Sequence, residues 1–270
     1  MSTVLTLALA QINPTVGDIA GNAERILSYY KKAAAQNADL IIFPELTLVG
    51  YPLEDLVLMP AFRKEAMKAL QALAKKTKKG PAMIVGAIVE IKGKIHNAAV
   101  LLGDGKILHV QPKTMLPNYG VFDEKRVFGA GPGPKAVRFR GMKLGILVCE
   151  DTWYPGLAAS LKKQGAKLLI SINASPFEMG KLAYRKKEMA TIARQVKLPL
   201  IYVNLVGGQD DIVFDGGSFV LDAKGKPARQ LPEFAEALHI VRTDAERAPV
   251  MSSEETVWQA LALGLGDYVR

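Results

Sequence analysis

Short apolar runs alternate along the chain with longer stretches whose apolar residues recur every three or four positions. Runs bounded by turn residues predict strands, and the longer pattern predicts amphipathic helices. Val4–Ala10 and Ala38–Phe43, the second halted by Pro44, read as buried strands. Between them Gly21–Gln36 has a helical period, with Asn22 the expected N-cap. Lys64–Lys79 predicts another helix, closed by Gly80-Pro81. The rhythm then changes. Met83–Ile91, Lys94–Leu102 and Lys106–Gln111 are β-rich and separated by Lys92-Gly93 and Gly103-Asp104-Gly105, which predicts an antiparallel meander.

Val137–Phe139 and Leu144–Cys149 continue the strands, and Leu157–Gly165 is a predicted helix. Leu168–Asn173, Lys181–Val196 and Leu200–Val206 follow as strand, helix and strand. Ser218–Asp222 and Pro227–Leu231 flank the turn Ala223-Lys224-Gly225-Lys226. Such alternation is the signature of an α/β layered fold. No repeat or low-complexity linker interrupts it, so residues 1–245 read as one domain. Residues 246–270 read as a linker followed by a fresh amphipathic helix, Glu254–Arg270, begun at a Ser252-Ser253 cap and carrying Val257, Leu261, Leu263, Leu265 and Val269.

Composition narrows the class. With 270 residues and 49% hydrophobic content the chain is long enough for a substantial core. One cysteine excludes a disulfide framework and a zinc ribbon, and is consistent with a reducing, cytoplasmic setting. No run is long and apolar enough to span a membrane, and Met1–Gln11 lacks the basic start and cleavage site of a signal peptide. The net charge of +9 raises nucleic-acid binding. The lysines, however, lie scattered in pairs on helical stretches, with neither aromatic interleaving nor zinc spacing, so a solvated face is the simpler reading. No metal-ligand spacing is present.

Three reactive groups stand where predicted strands end. Glu45 follows Leu40–Pro44, Lys113 follows Ile107–Pro112, and Cys149 closes Leu144–Val148. Loops beyond strand ends are where α/β folds gather functional groups. A cysteine nucleophile needs a base and a cation beside it: Glu45 fits the base, and Lys113 fits an oxyanion stabiliser, with the Glu150 N–H as a second donor. Taken singly, each has a plainer reading: Cys149 as a small buried hydrophobe, Glu45 and Lys113 as surface charges. The three histidines, His96, His109 and His239, carry no partner pattern for Cys-His catalysis.

Phe43-Pro44-Glu45-Leu46, Pro112-Lys113-Thr114-Met115-Leu116-Pro117 and Val148-Cys149-Glu150-Asp151-Thr152-Trp153 resemble, in order, the glutamate, lysine and cysteine motifs of the nitrilase (carbon–nitrogen hydrolase) superfamily. The resemblance implies a four-layer α-β-β-α sandwich and a Glu45-Lys113-Cys149 triad. It also implies amide or nitrile hydrolysis through a thioester, with no metal or organic cofactor. A narrower resemblance lies in Ala10–Asp18, Gly50–Leu56, Leu116–Glu124, Asn173–Phe177 and Asp215-Gly216-Gly217-Ser218, which are similar to the glutaminase domains of glutamine-dependent NAD+ synthetases. Leu261–Arg270 is similar to the opening of their synthetase domain.

That resemblance implies glutamine as substrate, bound by Tyr119, Ser175 and Lys181, with Glu124 and Glu150 in support. The chemistry agrees: an α-carboxylate suits Lys181 and the Ser175 hydroxyl, and an α-ammonium suits the Tyr119 hydroxyl or a carboxylate. Glu124 would orient Lys113; its plainer reading is a loop carboxylate paired with Lys125 or Arg126. Trp153 suits either a pocket wall or the core. ATP, Mg and deamido-NAD+ would belong to a synthetase domain that has no counterpart here, since Gly207-Gly208 and Gly216-Gly217 lack the strand–loop–helix context of a phosphate loop. The expected partners are that domain, packed against the apolar face of Glu254–Arg270, and further copies of the chain. The rivals are a stand-alone amidase of the same lineage acting on another ω-amide, carbamoyl or nitrile substrate, and a non-catalytic basic docking domain.

Overall fold

The computed structural model describes residues 4–242 and 253–269. In chain order it contains β1 (Thr6–Gln11), α1 (Ile19–Ala35), β2 (Leu40–Ile42), α2 (Pro60–Lys76), β3 (Ala82–Ile91), β4 (Lys94–Gly103) and β5 (Lys106–Pro112). The single turn α3 (Glu124–Val127) precedes β6 (Val137–Phe139), β7 (Met142–Val148), α4 (Pro155–Lys163), β8 (Leu168–Asn173), α5 (Lys181–Val196) and β9 (Leu200–Asn204). Then come β10 (Val206–Gln209), β11 (Ile212–Asp215), β12 (Phe219–Leu221), β13 (Pro227–Gln230), β14 (Ala237–Arg242) and α6 (Ser253–Tyr268).

Two six-stranded sheets form, in the orders β14-β1-β2-β3-β4-β5 and β13-β12-β9-β8-β7-β6, with β10-β11 a separate hairpin. Each sheet has a parallel centre, β1-β2-β3 and β7-β8-β9, and antiparallel flanks. Strand alternation sorts the layers, because successive side chains point to opposite faces. Leu7 and Leu9 of β1 pack inward with Ile146 and Val148 of β7 and Ile170 and Ile172 of β8. Ala8 and Ala10 point the other way, beneath Ile26 of α1 and Leu70 of α2. Leu147 and Leu169 face Leu161 of α4 and Ile192 of α5. The result is the expected α-β-β-α sandwich. Each fully buried Leu or Ile in it contributes about 1.5–3 kcal/mol relative to exposure.

Several local expectations change. Asp18, not Asn22, caps α1: its carboxylate accepts from the Gly21 N–H at 2.9 Å. Asn22 is buried, and its amide pairs with both backbone groups of Thr15 at 2.9 and 2.7 Å. Pro60 starts α2 four residues earlier than the lysine pattern indicates, since proline fits the first helical turn. The run expected to be one strand to Val206 ends at Asn204, and Val206 opens the β10-β11 hairpin.

The expected domain boundary at 245, the linker from 246 and the Ser252 cap lie outside the described residues. Helix α6 rests on the β10-β11 hairpin. A Cβ at Gly208 would lie 2.8 Å from the Gly264 Cα, so this glycine permits the close approach. Asp267 accepts from the Asn13 amide at 2.6 Å and the Gly208 N–H at 2.8 Å. Ala260 is buried, whereas Trp258, Leu261, Leu265, Tyr268 and Val269 are exposed. Among the described residues no helix is long and apolar enough to cross a membrane.

Candidate active site

The first sheet delivers two of the three reactive groups and the second sheet delivers the third. Glu45 follows β2 in a loop that presses against β3. A Cβ at Gly86 would fall 2.2 Å from the Leu46 nitrogen and 2.3 Å from the Pro44 oxygen, so glycine there lets the loop close down. Lys113 follows β5, its N–H donating to the Asn97 carbonyl at 2.8 Å. Cys149 leaves β7 with φ of 46°, the left-handed region, and opens a 3-10 turn over Cys149–Trp153. A non-glycine residue held there stores about 1–3 kcal/mol of strain, as residues at reactive turns often do.

Glu45, Lys113 and Glu124 form one buried cluster. The Lys113 ammonium donates to Glu45 Oε1 and to Glu124 Oε1, both at 2.7 Å. Asn97 Nδ2 donates to Glu45 Oε1 at 2.6 Å, and the Ala174 N–H donates to Glu45 Oε2 at 2.8 Å. The Tyr51 hydroxyl donates to Glu124 Oε1 at 3.1 Å. Glu45 is thus aimed by three donors from three different segments. Glu124 does not pair with Arg126, which engages Glu54, Asp55 and Asp123 instead.

Charges this close and dry set one another's protonation. Burial opposes the charge on Lys113, but Glu124 and Glu45 outweigh it and hold the amine protonated well above its ordinary range. Burial pushes the Glu124 carboxyl up to about 7, with the Glu45 charge adding and Lys113 opposing. Burial also pushes the Cys149 thiol well up, and Glu45 reinforces this against Lys113. Cys149 therefore rests as a thiol, and its reactivity depends on a base beside it rather than on a standing thiolate.

The residues expected to meet substrate divide into two groups. Tyr119, 59% exposed, donates its hydroxyl to Glu150 Oε2 at 2.9 Å, so the structure brings these two together beside the Cys149 turn. Lys181 opens α5 and pairs with Glu178 at 2.9 Å. Ser175 is buried just beyond β8, in the segment whose Ala174 N–H meets Glu45. Trp153 is half-buried and stacks on Tyr184 of α5, with ring centroids 5.6 Å apart. Among the histidines, His96 Nδ1 pairs with the Gly129 carbonyl at 2.6 Å and His239 accepts from Arg229 at 2.7 Å, each engaged in the scaffold.

Asn97, Tyr51 and Asp151 were not singled out from the sequence. Asn97 is a fully buried amide directly before the apolar stretch Ala98–Leu102, where a buried polar group calls for a partner. Asp151 ties two motifs together: Oδ1 accepts from the Thr114 and Met115 N–H groups at 2.9 and 2.7 Å, and Oδ2 from the Val148 N–H at 3.3 Å. It clips the loop after Lys113 to the strand before Cys149. Burial raises its carboxyl to about 6, against the pull of those N–H groups.

Neither glycine pair offers a phosphate cradle. A Cβ at Gly207 would lie 2.0 Å from Asn13 Oδ1, and one at Gly216 would lie 2.3 Å from Gln11 Nε2, so protein atoms already fill both hollows. Among the described residues no group of three or more His, Cys, Asp or Glu is arranged to hold a metal.

A sandwich of this layering, with Glu45, Lys113 and Cys149 at strand ends, is a carbon–nitrogen hydrolase architecture. Residues 6–250 match the carbon-nitrogen hydrolase family, and the chain belongs to it. It is 40% identical over 273 residues to the glutamine-dependent NAD(+) synthetase of Acinetobacter baylyi, covering 98% of this chain and 50% of that protein. The solved glutamine-dependent NAD+ synthetase of Acinetobacter baumannii, in complex with ADP, superposes with a TM-score of 0.95 at 39% identity, over 99% of this chain and 52% of that one. The chain thus spans about half the length of these relatives. An amidase from Nesterenkonia sp. AN1 superposes at 0.78 with 25% identity, over 88% of this chain and 89% of that one. That structure is a glutamate-to-glutamine mutant with the acetamide moiety of fluoroacetamide added covalently at the active-site cysteine.

Proposed function

We propose that this chain is a glutaminase domain that hydrolyses the side-chain amide of glutamine to glutamate and ammonia. The observation that carries the reading is the buried Glu45–Lys113–Glu124 cluster together with a Cys149 held at positive φ, with the Tyr119–Glu150 pair beside the same turn. Similarity to glutamine-dependent NAD(+) synthetases supports glutamine as substrate, and the covalently modified cysteine of the amidase relative supports Cys149 as nucleophile.

Glu45 takes the Cys149 proton as the sulfur attacks the γ-carbonyl carbon of glutamine. The Lys113 ammonium and the Glu150 N–H stabilise the oxyanion. Glu45 returns the proton to the departing nitrogen, ammonia leaves, and a thioester remains. A water molecule, deprotonated by Glu45, attacks that thioester; its proton returns to Cys149 as glutamate departs. Glu124 keeps Lys113 charged and aimed.

Lys181 and the Ser175 hydroxyl receive the α-carboxylate, with Lys181 exchanging its Glu178 partner for the ligand. The α-ammonium goes between the Tyr119 hydroxyl and the Glu150 carboxylate, which already face one another at 2.9 Å. Residues 1–245 form the hydrolase unit and residues 246–270 lead towards a synthetase domain that receives the ammonia for ATP-dependent amidation of deamido-NAD+. The exposed side chains of α6 are where that domain packs.

The reading is tested by glutamate release from glutamine, compared with asparagine and simple aliphatic amides. Glutamine-selective turnover supports it. Turnover of aliphatic amides with glutamine spared would instead make the chain a stand-alone amidase, the activity of the Nesterenkonia relative.

A further inference from the structure

Among the described residues Arg185 of α5 heads the fully buried side chains by volume, and the reaction above gives it no part. Taking a guanidinium out of water is costly unless it is paired and hydrogen-bonded. Half of that requirement is met by Asp215, whose two carboxylate oxygens accept from Nη1 at 2.8 and 3.0 Å. A staple between α5 and β11 would need nothing more. Nη2, however, is spent on a different segment: it donates to the carbonyls of Ser175 and Pro176 at 3.2 and 2.8 Å.

Ser175 lies just beyond the end of β8, where sheet hydrogen bonds no longer fix the chain. Side chains fix it instead. Asn204 of β9 accepts from the Ser175 N–H at 2.9 Å and donates to the Ser175 carbonyl at 3.1 Å and to Asp215 at 3.2 Å. The segment Asp215–Ser218, which resembles a family motif without any assigned chemistry, thus acts as the counter-charge that holds Arg185 in place. Arg185 also stands one helical turn beyond Lys181, so one helix carries both the lysine proposed for the α-carboxylate and the fork that grips the Ser175 carbonyl.

We propose that Arg185 is a positioning residue: by gripping the Ser175 and Pro176 carbonyls it places the Ser175 hydroxyl for the substrate carboxylate, and so governs affinity for glutamine rather than reactivity at Cys149. The proposal rests on the glutaminase reading for its ligand, not for the grip itself. Arg185→Lys keeps a charge for Asp215 but has no planar fork to reach both carbonyls.

The test uses three readouts on wild type and Arg185→Lys. Saturable inactivation by 6-diazo-5-oxo-L-norleucine, a glutamine-shaped electrophile, reports ligand affinity. Alkylation by iodoacetamide reports Cys149 alone. Amide hydrogen exchange across Asn173–Phe177 reports the grip. The expected result is an inactivator affinity weakened by about tenfold, an iodoacetamide rate within about twofold of wild type, and faster exchange in that segment. Unchanged affinity and exchange in a folded variant would overturn the proposal, as would equal loss of both cysteine reactions, which would mean a general collapse of the site. Should Arg185→Lys fail to fold, Arg185→Met/Asp215→Asn removes the grip without leaving an unpaired buried charge and is read the same way. If the wild type reacts with iodoacetamide but not saturably with the glutamine analogue, the glutaminase reading fails, and the exchange measurement alone decides the role of Arg185.

Discussion

The centre of the site and its rim are built on opposite plans. At the centre, Glu45, Lys113 and Glu124 are dry, Lys113 donates to both carboxylates at 2.7 Å, and the group is braced by Asn97, Tyr51 and the Ala174 N–H. At the rim, Tyr119 and Lys181 reach solvent and pair with Glu150 and Glu178, carboxylates that a ligand can displace or share. Charges in the first arrangement are expensive to disturb, whereas exposed pairs contribute only about 0–1 kcal/mol. On the proposed function, the chemistry would be held rigid and recognition left adjustable. A single scaffold can change substrate at the rim without rebuilding the centre.

Breaking the centre gives the largest effects. Cys149→Ala should lower kcat/KM for glutamine by about a thousandfold or more while stability stays within about 1 kcal/mol, since only a small sulfur atom is lost. Kinetics beside chemical denaturation would check both halves of that expectation. Lys113→Met should differ in kind. It removes the oxyanion donor, at about a hundredfold to a thousandfold in rate, and leaves Glu45 and Glu124 facing each other unpaired, at about 3–5 kcal/mol in stability. A Lys113→Met protein as stable as wild type would contradict the picture of a mutually dependent cluster.

Breaking the rim should be gentler and should separate binding from chemistry. Lys181→Ala is expected to raise KM for glutamine about tenfold, with kcat within about threefold. An equal fall in kcat would place Lys181 in the reaction rather than in recognition.

The subtlest effect is a pH dependence. Glu124 titrates near 7 in the folded chain, above its ordinary 4.5, so between these values the folded state holds a proton that the unfolded state has lost. Stability contributed at this position is therefore greatest below about 4.5 and falls as pH rises through 7. Glu124→Gln cannot ionise, and the stability of wild type relative to Glu124→Gln should decline across that interval. A flat difference would contradict the raised titration that burial gives Glu124.

The contrast between centre and rim also explains what could be read from the chain alone. The three residues proposed as the reactive triad stood out because each follows an apolar run and two have proline next to them, a local pattern. The α/β layering was legible in the alternation of apolar runs with helical stretches, whereas the four-layer stacking came from the family resemblance, because Leu7–Ala10 and Ile146–Val148 are apolar on both faces. The bracing was not. Asn97 reaches Glu45 across 52 positions, Asp151 clips a loop 37 positions away, and Arg185 meets Asp215 30 positions on. Spacing along one element says nothing about partners on another. Three strands escaped for related reasons. The hairpin β10-β11 begins with Val206-Gly207-Gly208, whose glycines hide its pattern, and β14 is a half-buried edge whose partner, β1, lies at the other end of the chain. Asn22 lost the capping role to Asp18 because its amide was claimed by the backbone of Thr15.

The most direct test of the central claim is glutamate release from glutamine by this chain and by its Cys149→Ala form, with asparagine and aliphatic amides in parallel. The account predicts turnover selective for glutamine and lost in Cys149→Ala. Glutamine hydrolysis that survives Cys149→Ala, or turnover of aliphatic amides with glutamine left untouched, would contradict it.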